Sequence, residues 1–183
     1  VYLALPHVAL HRLNETRQER PMTSQQQRMI FLHGLESSGQ GYKATMLRAL
    51  FPAMLTPDFG GTLDQRMLQL VPILGEESDW VIVGSSFGGL MGALWTCAHP
   101  YQVRKLVLLA PALSHPAFAA TPPAPVSVPC LAYHGQRDSI VPYAPVKTLI
   151  EQVFHNATFH LVDDDHMLRT TVQAIDWQTL LNN

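Results

Sequence analysis

Charge and cysteine are scarce in this chain of 183 residues. Asp, Glu, Lys and Arg make up 14% of it and the formal net charge is −2, so no field draws it to nucleic acid or to an anionic membrane. Arg12, Arg17, Arg20 and Arg28 gather near the N-terminus, but Glu15 and Glu19 lie among them, which reads as a solvated face. The two cysteines, Cys97 and Cys130, fall in apolar segments. That excludes a disulfide framework or a zinc knuckle and leaves two small core residues. No apolar run approaches transmembrane length. Internal repeats, a Walker loop and a dinucleotide-binding glycine pattern are all lacking. Val1–Leu10 is apolar, but it has no basic start and Pro6-His7 interrupts it. No signal peptide is expected there, and a cytoplasmic address is the default. His7 and His11 have the four-residue spacing of helical metal ligands, yet no glutamate stands between them, so no metal is expected.

Apolar residues are not scarce. They make up 47% of the chain, enough for one domain with a substantial core and short of two. Short apolar runs alternate with amphipathic stretches. Met29–His33, Ala53–Pro57, Trp80–Val83, Val103–Leu109, Cys130–His134 and Thr158–Val162 read as strands. Between them, Tyr42–Leu50 reads as a helix. Leu63, Met67, Leu70, Val71 and Leu74 mark a second amphipathic helix. Val146, Leu149, Ile150, Val153 and Phe154 mark a third, and Val172, Ile175 and Leu180 a closing one. Ala112–Pro129 holds Pro116, Pro122, Pro123, Pro125 and Pro129 and reads as a loop. The alternation predicts an α/β domain over residues 28–183, with a mainly parallel sheet of about six strands and helices on both faces. Residues 1–27 are expected to form an N-terminal extension, with Met22 a natural start for the core.

The most informative stretch is Asp79–Pro100. The buried strand ends in Gly84-Ser85-Ser86-Phe87-Gly88, and an apolar helix follows until His99-Pro100 stops it. Gly-x-Ser-x-Gly is the pattern of a sharp strand–helix turn that strains its serine and holds the hydroxyl above the sheet. Only Ser86 has glycines two residues before and after it, so Ser86 is the candidate nucleophile. Side chains at 84 and 88 would collide in such a turn. His33, Ser86, Asp138 and His166 each follow a different strand, and in parallel sheets ligands bind beyond the carboxyl ends of the strands.

The chain resembles the α/β hydrolases from about Met29 to its C-terminus. The resemblance rests on Phe31-Leu32-His33-Gly34, Gly84-Ser-Ser86-Phe-Gly88, Gly135-Gln-Arg-Asp138 with Val141-Pro142, and Asp165-His166, in the order Ser, Asp, His. More narrowly it is similar to small capless bacterial serine esterases and thioesterases with a His-Gly-x-x-Ser-Ser-Gly motif. The resemblance implies a single-domain α/β hydrolase fold that needs no metal or cofactor. Its triad would be Ser86 as nucleophile, His166 as base and then acid, and Asp138 orienting the imidazole. The oxyanion would meet the backbone N–H groups of Leu35 and Phe87. His33 matches a loop-ordering histidine, and Asp138 could alternatively cap the helix after it. His155 and His160 read as structural; His134 ends its strand and is expected to order the turn, the alternative being a place near the site.

Leu35, Glu36, Phe87, Leu113, Ile140 and Met167 are the candidate pocket residues. Glu36 should disfavour anionic acyl groups, unless its side chain points away from the site, and Ser37, Ser38 and Gly39 either order a substrate group or cap the helix at Tyr42. Asp163, Asp164 and Asp165 should favour the His166 imidazolium and raise the acid limb of an activity profile. Only Ala112–Pro129 is available for a cap, so no helical lid is expected. The expected partner is a small acyl ester or thioester, in a monomer or homodimer. The same residues would serve an amide or peptide hydrolase, an acyltransferase, or a slow-turnover ligand-binding or signalling protein.

Overall fold

The computed structural model describes residues 27–182. The expectation of an N-terminal extension, and His7 and His11 with it, therefore lies outside the described residues apart from Gln27. Five strands form one parallel sheet in sequence order: β1 (Arg28–Leu32), β2 (Trp80–Ser85), β3 (Val103–Leu109), β4 (Cys130–Gly135) and β5 (Ala157–Val162). Among the described residues seven α-helices accompany them: α1 (Tyr42–Leu50), α2 (Leu63–Leu74), α3 (Phe87–Ala98), α4 (Pro116–Ala119), α5 (Tyr143–Val153), α6 (Arg169–Ala174) and α7 (Trp177–Asn182).

The two-residue period of the strands divides the core in two. Ile30, Leu32, Trp80, Ile82, Leu106 and Leu108 point to one face, against α2, α3 and α5. Met29, Phe31, Val81, Val83, Val107 and Leu109 point to the other, against α1, α6 and α7. That is why β2 and most of β3 read as unbroken apolar runs: both faces are covered, and each fully buried Leu, Ile or Val contributes about 1.5–3 kcal/mol.

The segment Ala53–Pro57, expected as a sixth strand, pairs with β1 at one residue only. Phe31 N–H donates to Leu55 O at 2.8 Å and Leu55 N–H to Met29 O at 2.9 Å. Pro52 precedes the segment and Pro57 ends it; both lack amide donors and keep it short. Its position is still decisive. The chain leaves β1, runs through α1 to Leu55 on the outer side of β1, and returns through α2 to β2 on the inner side. With right-handed crossovers this reversal sends α1 and α2 to opposite faces and opens a crevice at the carboxyl ends of β1 and β2. The closing helix is two helices. Asp176 breaks it, because its carboxylate accepts from Thr179 N–H at 3.1 Å and Thr179 Oγ1–H at 2.7 Å, an N-cap for α7.

Candidate active site

The turn after β2 is strained as its sequence predicts. Ser86 has φ 54° and ψ −116°, a left-handed backbone rarely adopted by a residue with a Cβ. Two hydrogen bonds hold it there: Ser86 N–H to Leu109 O at 2.9 Å and Ala112 N–H to Ser86 O at 3.0 Å. Gly84 faces Gly88 across the bend, where a Cβ would lie 2.5 Å from the Gly88 carbonyl oxygen. The collision at Gly88 is different from the one expected. A Cβ there would land on the carbonyl of Leu32, at the end of β1. Gly88 thus lets α3 approach β1, which sets where the loop after β1 stands relative to Ser86.

Asp138 and His166 reach Ser86 from the loops after β4 and β5. His166 Nε2 lies 3.0 Å from Ser86 Oγ, and His166 Nδ1 lies 2.7 Å from Asp138 Oδ2. Asp138 does not cap α5, whose N-cap is Pro142. Its Oδ1 instead accepts from Ile140 N–H at 2.9 Å and Val141 N–H at 2.8 Å within its own loop. Its side chain is fully buried. Because Oδ2 can only accept while the carboxylate is ionised, the Nδ1 proton belongs to the imidazole and Nε2 presents a lone pair to the serine hydroxyl.

A second histidine meets the same carboxylate. His134 Nε2 lies 3.1 Å from Asp138 Oδ2 and 2.8 Å from Val141 O. Both partners accept, so Nε2 carries the proton. Nδ1 is buried without a partner. Burial lowers the pKa of His134, and the raising influence of the Val141 carbonyl and of Asp138 does not reverse this. His134 is therefore a neutral donor beneath the site. Its i, i+4 spacing to Asp138 is visible in the sequence, but the shared hydrogen bond is not.

On the other side of Ser86, Gly34 stands so close that a Cβ would lie 3.3 Å from Ser86 Cβ. His33 fixes this loop: its Nε2 accepts from Phe59 N–H at 2.9 Å, so Nδ1–H donates to Gly34 O at 2.7 Å. Neither Leu35 N–H nor Phe87 N–H has an acceptor among the described residues. Phe87 is the first residue of α3, where an N–H has no intrahelical partner.

A cavity of about 310 Å³ opens beside Ser86, lined by Leu35, Glu36, Ile140 and Met167 among others. Leu35, Ile140 and Met167 form an apolar rim, 55%, 68% and 45% exposed. Leu113 does not line it. It is fully buried in the core with Phe118, because the prolyl loop after β3 turns its apolar side chains inward instead of standing over the site. α4, a single turn, is the only helix between β3 and β4, so no lid arises there. The Phe87 side chain is likewise in the core, with the Arg66 guanidinium 5.5 Å above its ring and His115 edge-on at 5.8 Å.

The three aspartates before His166 are directed elsewhere. Asp163 pairs with Arg137. Asp164 accepts from Thr171 N–H and Oγ1–H, both at 2.9 Å, and anchors the start of α6. Asp165 accepts from Met167 N–H at 2.8 Å. Among the described residues the carboxylate touching the imidazole is Asp138 alone. α1 has Gly41 as N-cap and no side-chain cap, so the serines before it do not cap it. Ser37 lines the cavity instead, with Tyr42 and Lys43, which sequence reasoning did not single out. His160 stacks on Tyr133 at 4.6 Å, away from Ser86, as a structural residue.

Among the described residues no group of three His, Cys, Asp or Glu side chains is placed to hold a metal, and no helix is long and apolar enough to cross a membrane. No protein-family model matches the sequence, and no curated protein sequence matches it either. Solved structures do. A protein assigned to the α/β superfamily of hydrolases, from Xanthomonas campestris pv. campestris, is 25% identical with a TM-score of 0.69, over 81% of this chain and 92% of that one. An esterase from a marine microorganism is 18% identical with a TM-score of 0.63, over 85% of this chain and 94% of that one. Mouse alpha/beta hydrolase domain-containing protein 10 is 19% identical with a TM-score of 0.64, over 77% and 82%.

Proposed function

From the premise that this chain has the α/β hydrolase fold, we propose that it is a serine hydrolase that cleaves small carboxylic esters or thioesters through an acyl-enzyme. The observation that carries the reading is the continuous relay from Asp138 Oδ2 through His166 to Ser86 Oγ, at 2.7 and 3.0 Å, on a strained elbow. A serine hydroxyl is a weak nucleophile and needs a base within hydrogen-bond reach. His166 Nε2 takes the proton as Oγ attacks the acyl carbon, then returns it to the leaving oxygen or sulfur. Water activated by the same nitrogen releases the acid. Asp138 keeps the Nδ1–H tautomer and stabilises the imidazolium. The unpartnered N–H groups of Leu35 and Phe87 meet the oxyanion, each contributing about 10²–10³ in turnover.

The exposed rim and the small cavity favour short acyl chains. Turnover of p-nitrophenyl acetate, butyrate and octanoate, by wild type beside Ser86→Ala, tests this. Loss of turnover in the variant with the short esters fastest is the expected result. Equal rates in both proteins would remove Ser86 from the chemistry.

A further inference from the structure

The cavity beside Ser86 holds one cation that has no ion-pair partner among the described residues. Lys43 is the second residue of α1, half-buried, and lines the same 310 Å³ space as Ser86 and His166. Its placement is unfavourable in three separate ways. A cation in the first turn opposes the helix dipole, and α1 has no acidic residue there to compensate. The ammonium is drawn partly out of water. A second cation, Arg169 of α6, lies close by, its guanidinium 5.3 Å above the ring of Tyr42. The Lys and Arg ion pairs among the described residues are Arg28–Glu77, Arg104–Asp79, Arg137–Asp163 and Lys147–Glu151. Lys43 and Arg169 belong to none.

Resting on the hydrolase reading, we infer that Lys43 selects the substrate: the ester or thioester cleaved here carries a carboxylate on its acyl chain, which enters the cavity and pairs with this ammonium. Glu36 does not overrule it. Glu36 is exposed at the rim, where water and salt screen its charge, whereas a partly buried charge is screened much less. A bound carboxylate offsets all three costs at once, since its negative charge compensates the ammonium, the nearby Arg169 and the positive end of the α1 dipole. The volume fits a short dicarboxylic monoester, at the small end of ligand cavities.

Titration supports the assignment. Burial, then Arg169, lower the pKa of Lys43 to about 8, against weaker raising influences from Asp165 and Asp164. The charged and titratable groups around it are Glu36 on the loop after β1, Asp164, Asp165 and His166 on the loop after β5, and Arg169 on α6. At neutral pH Lys43 is mainly charged, and a preference for anions should fade as pH rises past about 8.

The experiment compares p-nitrophenyl hemiglutarate with neutral p-nitrophenyl valerate, as the ratio of their kcat/KM values within each protein. Wild type should prefer the anionic ester. Lys43→Met should lower the ratio about tenfold through KM, the equivalent of one pH unit of coupling between lysine and carboxylate. Lys43→Arg should retain the preference and Lys43→Glu should reverse it. Lys147→Met, on α5 and paired with Glu151, should leave the ratio at the wild-type value. The same ratio in wild type and Lys43→Met, or an equal loss in Lys147→Met, overturns the inference. Turnover of the valerate ester, lost in Ser86→Ala, reports separately on the hydrolase reading, so a protein that cleaves it without anion preference refutes Lys43 alone.

Discussion

His134→Phe isolates the second histidine at Asp138. The ring is fully buried and Phe preserves its approximate shape beside Phe159, 6.2 Å away. The substitution removes the single Nε2–H, which donates to Val141 O at 2.8 Å and faces Asp138 Oδ2 at 3.1 Å, and leaves the Val141 carbonyl without that donor, a cost of about 2–4 kcal/mol in all. It also removes the unpartnered Nδ1, whose burial costs about 1–3 kcal/mol in the wild type. The net destabilisation at pH 7.5 should be about 1–2 kcal/mol, a fall of about 2–8 °C in Tm for a chain of this size. A second signature follows from linkage. The folded-state pKa of His134 is depressed below 6.5. The unfolded chain therefore binds more protons than the folded one once pH falls below that value, and stability falls with pH. The wild type carries this loss and His134→Phe does not. The gap between them should narrow on acidification, with a slope of at most about 1.4 kcal/mol per pH unit. Urea denaturation at pH 7.5 and 5.5 measures both effects. A gap that is constant or wider at pH 5.5 would refute the neutral, buried donor.

Two further predictions concern the site's supports. Gly88→Ala should cost about 1–3 kcal/mol of stability and about 10² in kcat, because α3 and β1 must separate and carry Leu35 away from Ser86. Gly92→Ala, further along α3, would meet side-chain methyl groups alone, those of Ile82, Leu106 and Leu32 at 3.1, 3.3 and 3.6 Å, and thermal melts should place it within about 1 kcal/mol of wild type. Asp164→Ala should lose about 1–2 kcal/mol at neutral pH by removing the acceptor of Thr171 N–H and Oγ1–H in the first turn of α6. Burial raises the Asp164 pKa, but the bonds from Thr171, Asp165 and Thr170 outweigh it and hold the carboxyl below its ordinary value. Its stabilisation is thus present above about pH 4 and lost as pH falls through the folded-state value, so chemical denaturation should show the two proteins converging in acid.

What the sequence made legible was what local chemistry dictates. An unbroken apolar strand followed by Gly-x-Ser-x-Gly leaves Ser86 few other conformations, and the strand-end positions of Asp138 and His166 follow from the alternation of elements. Leu113 was misplaced because an apolar residue in a prolyl loop can turn towards a pocket or into the core, and only the tertiary surroundings, here Phe118 and the core behind α3, decide. The aspartates before His166 were assigned a shared electrostatic role, whereas each has a separate hydrogen-bonding partner that lies up to 26 residues away along the chain. Lys43 carried no signal, since a lysine near a helix start ordinarily points to solvent. The crevice that captures it depends on the reversal of chain direction at Leu55.

The most direct test of the central claim is covalent trapping. The protein is treated with a fluorophosphonate, a reagent that phosphonylates activated serines, and its peptides are mapped by mass spectrometry. The account predicts one equivalent of adduct, on Ser86, formed rapidly in the wild type, abolished by Ser86→Ala and slowed at least 10²-fold by His166→Ala. No adduct in the folded wild type, or an adduct on another serine with Ser86 untouched, would contradict it.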